Sequence, residues 1–257
     1  MKRGETMDMK TSALIVKLAE TAEELEQAFR LRYRVFVEEG QLTSLVNETG
    51  MEMDEYDQFC DHLIVVDTDH DKVVGTYRML AGEKAVENNG FYSETEFDLT
   101  AFADFKADSL EVGRSCIDQA YRNGRAIQLL WAGIADYIKG SGHKYLVGCV
   151  SVPIHETREI NELYSMLCIE GIITDRYNIK PLPSHVIPGL KRLGETEFNM
   201  REVYRKLPPL LKGYKWLGAQ IAGEPIYDPA FRSTDFFVVL ETAKMTKKYQ
   251  RRFMGGM

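Results

Sequence analysis

Three residues in SLEVGRSCI, residues 109–117, are out of place in an otherwise apolar strand: Glu111, Gly113 and Arg114. Desolvating a carboxylate and a guanidinium is costly unless they are paired or used. A glycine between them weakens a strand, unless the chain bulges there or a ligand approaches the backbone. In a flat strand Glu111 and Arg114 point to opposite faces. A bulge near Gly113 would bring them together and turn main-chain N–H groups into a cleft. Such a site could offer a carboxylate base and main-chain donors for a developing oxyanion. Burial would raise the Glu111 pKa and a nearby Arg114 would lower it.

Other charged groups extend the pattern. From Glu39 to Asp61 the chain holds Glu39, Glu48, Glu52, Asp54, Glu55, Asp57 and Asp61, with no Lys or Arg. This stretch reads as a solvated surface or as attraction for a cationic acceptor. Arg78 lies in the apolar strand VVGTYRML, and like Arg114 it reads as a salt-bridge partner or as a bidentate clamp on a carboxylate. The loop DQAYRNGR between the strand at 109–117 and a helix at 126–138 resembles a phosphate site at a helix N-terminus, with Arg122 and Arg125 adding charge. It reads equally as a plain connection. His62, His143, Cys116 and Cys149 read as structural, and no spacing suggests a covalent acyl-enzyme.

The elements that must position these groups follow from periodicity. Residues 13–19 read as a strand, and Thr21 with Glu24 as a capping box opening a helix that carries Arg30, Arg32, Arg34 and Phe36. Residues 62–67 and 73–80 form a hairpin, 144–152 a strand, and 156–171 a helix. Residues 172–205 lack a pattern, and 210–221 and 235–241 read as late strands. Lys244, Lys247, Lys248 and Arg251 share one helical face, with Arg252 beside them: a solvated face, or a dock for an acidic partner, either a carrier protein or an anionic membrane. The order favours a mixed α/β sheet flanked by helices.

Composition bounds the alternatives. A chain of 257 residues with 44% hydrophobic and 28% charged residues is an ordinary globular protein. No apolar run is long enough for a membrane helix. The first residues lack the apolar core of a secretory signal. Cys60, Cys116, Cys149 and Cys168 show no metal-site spacing, which suits free thiols in a reducing cytoplasm and no metal. A net charge of −7 speaks against non-specific nucleic-acid binding.

The unit at 109–138 resembles the acyl-donor site of the GNAT N-acyltransferase fold. There the loop reads R-G-x-G-x-G, whereas this chain has Arg122-Asn123-Gly124-Arg125-Ala126-Ile127, with Arg125 and Ile127 at two glycine positions. The departure argues against a CoA pyrophosphate and suits the single phosphate of 4′-phosphopantetheine on acyl carrier protein. RYRVFVEE, DQFCDHLIVVD, VVGTYRML, GFYSETEFDL, LEVGRSCIDQAYR, LLWAGIADYI, YLVGCVS, PPLLKGYKWLGA and DFFVVL, in that order, resemble the ornithine–acyl carrier protein N-acyltransferases, some of which are labelled hemolysin. A more distant similarity links them to acyl-homoserine-lactone synthases. The resemblance implies one GNAT-like domain over 13–241, with 172–241 an extension that helps form the acyl pocket and 242–257 a basic tail. It implies transfer of a 3-hydroxyacyl chain from acyl carrier protein to the α-amino group of ornithine. No tightly bound cofactor is implied, and the location is cytoplasmic, with peripheral membrane contact open. Glu111, which directly or through a water would take the ammonium proton before the amine attacks the thioester, and Arg114 become catalytic candidates, and Arg32, Phe36, Asp54, Asp57 and Arg78 substrate-binding ones; Tyr164 is a candidate acid for the leaving thiolate, the part a tyrosine plays in some GNAT enzymes. Ser115, Cys116, Ile117, Arg122, Arg125 and Ala126 are donor-binding candidates. Glycine or another amino acid as acceptor, and a non-catalytic carrier-binding or membrane-lytic protein, are the competing expectations.

Overall fold

Strand β5 (Ser109–Ile117) is the centre from which the sheet is understood. Upstream lie β1 (Leu14–Leu18), β2 (Asp61–Asp67), β3 (Lys72–Ala81) and the short β4 (Phe97–Asp98). Downstream come β6 (Tyr145–Val152), β7 (Ile173–Thr174), β8 (Lys180–Pro181), β9 (Gln220–Ala222), β10 (Ile226–Asp228) and β11 (Ser233–Glu241). The helices are α1 (Ala22–Tyr33), α2 (Gly82–Glu87), α3 (Ala103–Lys106), α4 (Arg125–Ser141), α5 (Thr157–Ile169), α6 (Met200–Lys206) and α7 (Pro209–Leu217). This computed structural model describes residues 13–245. The expected basic helix of the tail lies mostly outside them; Lys244 is described and pairs with Glu241.

Nine strands form one sheet in the order β1-β2-β3-β5-β6-β11-β9-β7, with β10 on the other half of β11. All neighbours are antiparallel except β5/β6 and β7/β9. The mixed α/β class holds, and the segment after residue 172 contributes β7, β9, β10 and β11 to the same sheet, while its β8 pairs with β4 in a separate two-stranded one. Side-chain alternation divides the core. Leu63 and Val65 of β2 face α4, whose buried stripe is Ala126, Leu130, Ile134 and Ile138. Ile64 and Val66 face Ala28 and Leu31 of α1 on the opposite side. Phe91, Phe97, Phe102 and Phe237 make a further aromatic core on that side.

Thr21 caps α1 as expected, its hydroxyl accepting from the Glu24 amide while the Glu24 carboxylate accepts from the Thr21 amide. Beyond Tyr33 the helix widens into a π-helical turn, Arg34–Glu39. One expectation fails: residues 210–221 are not a strand. Pro209 opens α7, and Leu211, Tyr214 and Leu217 bury one helical face before Gly218 ends it, leaving only Gln220–Ala222 as strand.

Candidate active site

Between β3 and β5 the register slips: Thr76 faces Cys116 and Arg78 faces Gly113, so Tyr77 alone spans Arg114 and Ser115. This is the expected bulge, one residue beyond the glycine. Arg114 carries the strain at φ +51°, a left-handed conformation rare for a long side chain. On its other edge β5 pairs with β6 from Ser109 and Tyr145 only as far as Glu111 and Val147. Gly148 then passes so close to Val112 that a Cβ would stand 2.2 Å from its carbonyl oxygen. Past that contact the strands separate. A Cβ at Gly113 would meet nothing within 4 Å.

The opening is a cleft of about 370 Å³. Val112, Gly113, Arg114 and Ser115 wall it on one side, Cys149, Ser151 and Pro153 on the other. Phe36, Leu42 and Leu210 add apolar surface to its lining, and Glu96, Glu111, Asp228 and Asp235 add acids. The segment after residue 172 therefore supplies part of the wall.

Glu111 and Arg114 both line this cleft, but they do not pair. Oε2 of Glu111 accepts from the Tyr92 amide at 2.8 Å, and Oε1 accepts from the Ser93 amide at 2.9 Å and the Ser93 hydroxyl at 2.5 Å. Burial pushes its pKa above the usual glutamate range, and those donors pull back only partly. Arg114 donates to Glu52 and Asp54, each at 3.0 Å. Its guanidinium is sandwiched between the Tyr92 and Phe231 rings, 4.4 and 4.6 Å from their centroids.

The other charged candidates converge behind it. Arg32 is fully buried and donates to Glu52 and, with both terminal nitrogens, to Asp57 at 2.7 and 3.1 Å. Arg78 donates to Asp54 at 2.6 Å and Asp57 at 3.4 Å. Burial alone would raise the Asp57 pKa, yet the Arg32 and Arg78 charges hold it at about 2. Three arginines and three carboxylates thus form one compensated network. Of the substrate-binding candidates, Phe36 and Arg78 line the cleft. Arg32, Asp54 and Asp57 stand outside the lining, and the two aspartates are turned onto arginines. The acidic stretch is accordingly no solvated run at Glu52 and Asp57, which are buried.

Among the donor-binding candidates Ser115 lines the cleft. Cys116 and Ala126 have their side chains in the core, and Ile117 packs against it. Arg122 is tied to Glu39 and to the Ile117 carbonyl, and Asn123 accepts from the Arg125 amide at 3.0 Å at the start of α4. Tyr164 contacts Arg192 and is not part of the cleft wall. His62 is buried edge-on to Phe29.

Sequence reasoning missed Glu96, Asp228 and Asp235. Burial and the Asp235 charge push Glu96 up to about 8, and burial pushes Asp235 up to about 6 despite the Ser233 and Ser151 hydroxyls. The signal was present for Asp235, an acid opening the apolar run DFFVVL; Glu96 follows the polar run SET, and Asp228 precedes a proline as a turn residue does, so neither announces burial.

Known proteins resemble this chain in sequence and fold. Residues 31–132 match the acetyltransferase (GNAT) domain family. The L-ornithine N(alpha)-acyltransferase of Agrobacterium fabrum is 33% identical over 245 residues, covering 92% of this chain and 83% of its own. That of Rhizobium meliloti is also 33% identical, with 92% and 82% covered. The chain belongs to the L-ornithine N(alpha)-acyltransferase family. It is an N-acyltransferase of GNAT fold. The same fold recurs in the CoA-dependent acyl-homoserine lactone synthase BjaI, at TM-score 0.56, 14% identity and 95% and 92% coverage. It recurs in FeeM, an N-acyl amino acid synthase from uncultured soil microbes, at TM-score 0.51, 11% identity and 91% and 94% coverage. Among the described residues no helix is long and apolar enough to cross a membrane.

Proposed function

We propose that this enzyme transfers a 3-hydroxyacyl chain from the 4′-phosphopantetheine of acyl carrier protein to the α-amino group of ornithine, the first step of ornithine-lipid synthesis. The observation that carries the reading is the cleft itself: it opens where β5 leaves β6, with Glu111, the bulged main chain and uncompensated acids around one volume.

The thioester lies beside Gly113, where no side chain fills the space, and its acyl chain runs toward Phe36, Leu42 and Leu210. The donor phosphate reaches the loop before α4, where Arg122 exchanges its exposed Glu39 partner for it, a pair weak enough to be displaced, and Arg125 adds a second cation. The acceptor carboxylate meets Arg114, which is held rigid between two rings, with Arg78 behind it. Glu111 takes a proton from the α-ammonium, and its raised pKa suits that task. The neutral amine attacks the thioester carbonyl. The carbon–nitrogen bond forms while main-chain donors of the bulged segment stabilise the oxyanion. The intermediate then collapses; the carbon–sulfur bond breaks, and the second amine proton passes to the departing thiolate. Placing both reactants in one cleft supplies most of the acceleration.

The test is to incubate purified protein with 3-hydroxyacyl carrier protein, or the same chain on CoA, and a panel of amino acids, and to identify N-acyl products by mass spectrometry. Nα-acyl-ornithine formed from the carrier protein in preference to CoA is the expected product. Preferred acylation of glycine, use of CoA alone, or no product from any acceptor would contradict the reading.

A further inference from the structure

The cleft holds more negative charge than its arginines compensate. Arg32, Arg78 and Arg114 are matched by Glu52, Asp54 and Asp57. Glu111 has three donors from Tyr92 and Ser93. Glu96, Asp228 and Asp235 remain, each lining the cleft, with carboxylate oxygens within 4.8 Å of one another. They are 3, 6 and 4% exposed. Among the described residues, none of the three has a Lys, Arg or His ion-pair partner.

Their existing hydrogen bonds leave a vacancy for donors. Asp228 accepts from the Ala230 and Phe231 amides with Oδ1. Asp235 accepts from the Ser151 and Ser233 hydroxyls, one on each oxygen. Glu96 has only the Cys149 thiol, 3.2 Å from Oε2; a thiol is a weak donor. Among the described residues no donor reaches its Oε1. A carboxylate this deeply buried, on a cleft wall with one oxygen without a protein donor, is unfavourable unless it keeps a proton or a cation arrives from the cleft to replace that proton.

We propose that Glu96, Asp228 and Asp235 form the subsite for the side-chain ammonium of the acceptor amino acid and set the preference for a cationic acceptor. The inference deepens the acyl-transfer reading and rests on it. An ammonium group has three N–H donors, and three carboxylates converge on one point. The subsite also lies at a workable distance from the chemistry. Ser93 bonds Glu111 and stands 3.5 Å from the Cys149 sulfur, which in turn bonds Glu96. An acceptor with its α-nitrogen at Glu111 therefore extends its side chain along the same wall. The compensated arginine network explains why the acids are unmatched: every other cation of the site is already committed.

The experiment compares ornithine with norvaline, which has the same carbon chain without the terminal amine, for the wild type and for Glu96→Gln, Asp228→Asn and Asp235→Asn. Each protein is first checked by circular dichroism and thermal melting. The wild type should favour ornithine by about 100-fold or more in kcat/KM, because norvaline leaves buried acceptors unpaired. In the variants that ratio should fall to about 10-fold or less, with the loss in the KM for ornithine rather than in kcat. Stabilisation of the protein against heat by ornithine, absent with norvaline, should weaken in parallel; this readout stands even where norvaline turnover is too slow to measure. Variants that keep the wild-type ratio, or that lose kcat equally for both acceptors, overturn the subsite. So does a wild type whose activity or melting point needs added magnesium, calcium or manganese and loses that dependence in the variants, because the three acids would then hold a metal. A wild type that prefers neutral acceptors overturns the ornithine reading instead, so the two failures are distinguishable.

Discussion

Glu111 accepts three hydrogen bonds and yet has a raised pKa, because burial outweighs the donors. That balance keeps it fixed in direction while making it a stronger base than an exposed glutamate. Glu111→Gln should lower kcat by about 100-fold or more. The amide would also set an N–H against the Tyr92 or Ser93 donors, so the melting point should fall, and turnover is to be measured well below it. Turnover within a few-fold of wild type would remove Glu111 as the base. At this scale the sequence was informative where a charged residue interrupts an apolar strand. Glu111, Arg114 and Arg78 stood out for that reason. Most of their partners did not: Glu52 is 62 residues from Arg114, and pairing over such a separation is decided by the fold alone. Glu96 and Asp228 stayed hidden because the hydrophobic neighbours that bury them come from other strands.

Elements show how local patterns set and missed the architecture. The bulge in β5 was legible from Gly113, but the strained residue is Arg114, because the stacking of its guanidinium between Tyr92 and Phe231 fixes where the extra residue goes. The stretch 210–221 was read as a strand because its apolar residues are dense enough to fit either period; length and Pro209 decide for a helix. α1 was expected to run on uniformly, whereas its end widens into a π-helical turn that brings Phe36 to the cleft. What anchors that helix is Arg32, which ties α1 to the acidic segment through Glu52 and Asp57. Arg32→Met would take one of two cationic partners from each of two buried carboxylates and should destabilise the protein by about 3–5 kcal/mol in chemical denaturation. A loss below about 1 kcal/mol would mean that Arg78 and Arg114 compensate for it.

Across the whole molecule the acids of the cleft are maintained against folding stability. Burial and the Asp235 charge hold the Glu96 pKa up at about 8 in the folded protein, against the ordinary glutamate value of 4.5. The folded protein therefore holds this proton more tightly than the unfolded chain. Stability linked to Glu96 is fully present below about pH 4.5 and is lost as pH rises toward 8. Glu96→Gln should accordingly raise the melting temperature, little at pH 5 and by several degrees at pH 8. An equal gain at both pH values would show that the group does not titrate in this window. The same linkage predicts that an ammonium ligand displaces the proton, so the KM for ornithine should fall between pH 6 and 8. Fold class and family were legible from ordered blocks spread over most of the chain. The separation of β5 from β6, which makes the cleft, was not, because it depends on Gly148 of one strand meeting Val112 of another.

The central claim is that the thioester lies in the gap beside Gly113. It is tested most directly by the turnover of Gly113→Val with 3-hydroxyacyl carrier protein and ornithine. The added side chain enters open space, so we expect an unchanged melting temperature, retained stabilisation by ornithine, and turnover reduced by about 100-fold or more, the scale of a misplaced reactant. A correctly folded Gly113→Val protein with turnover near that of the wild type would contradict the account.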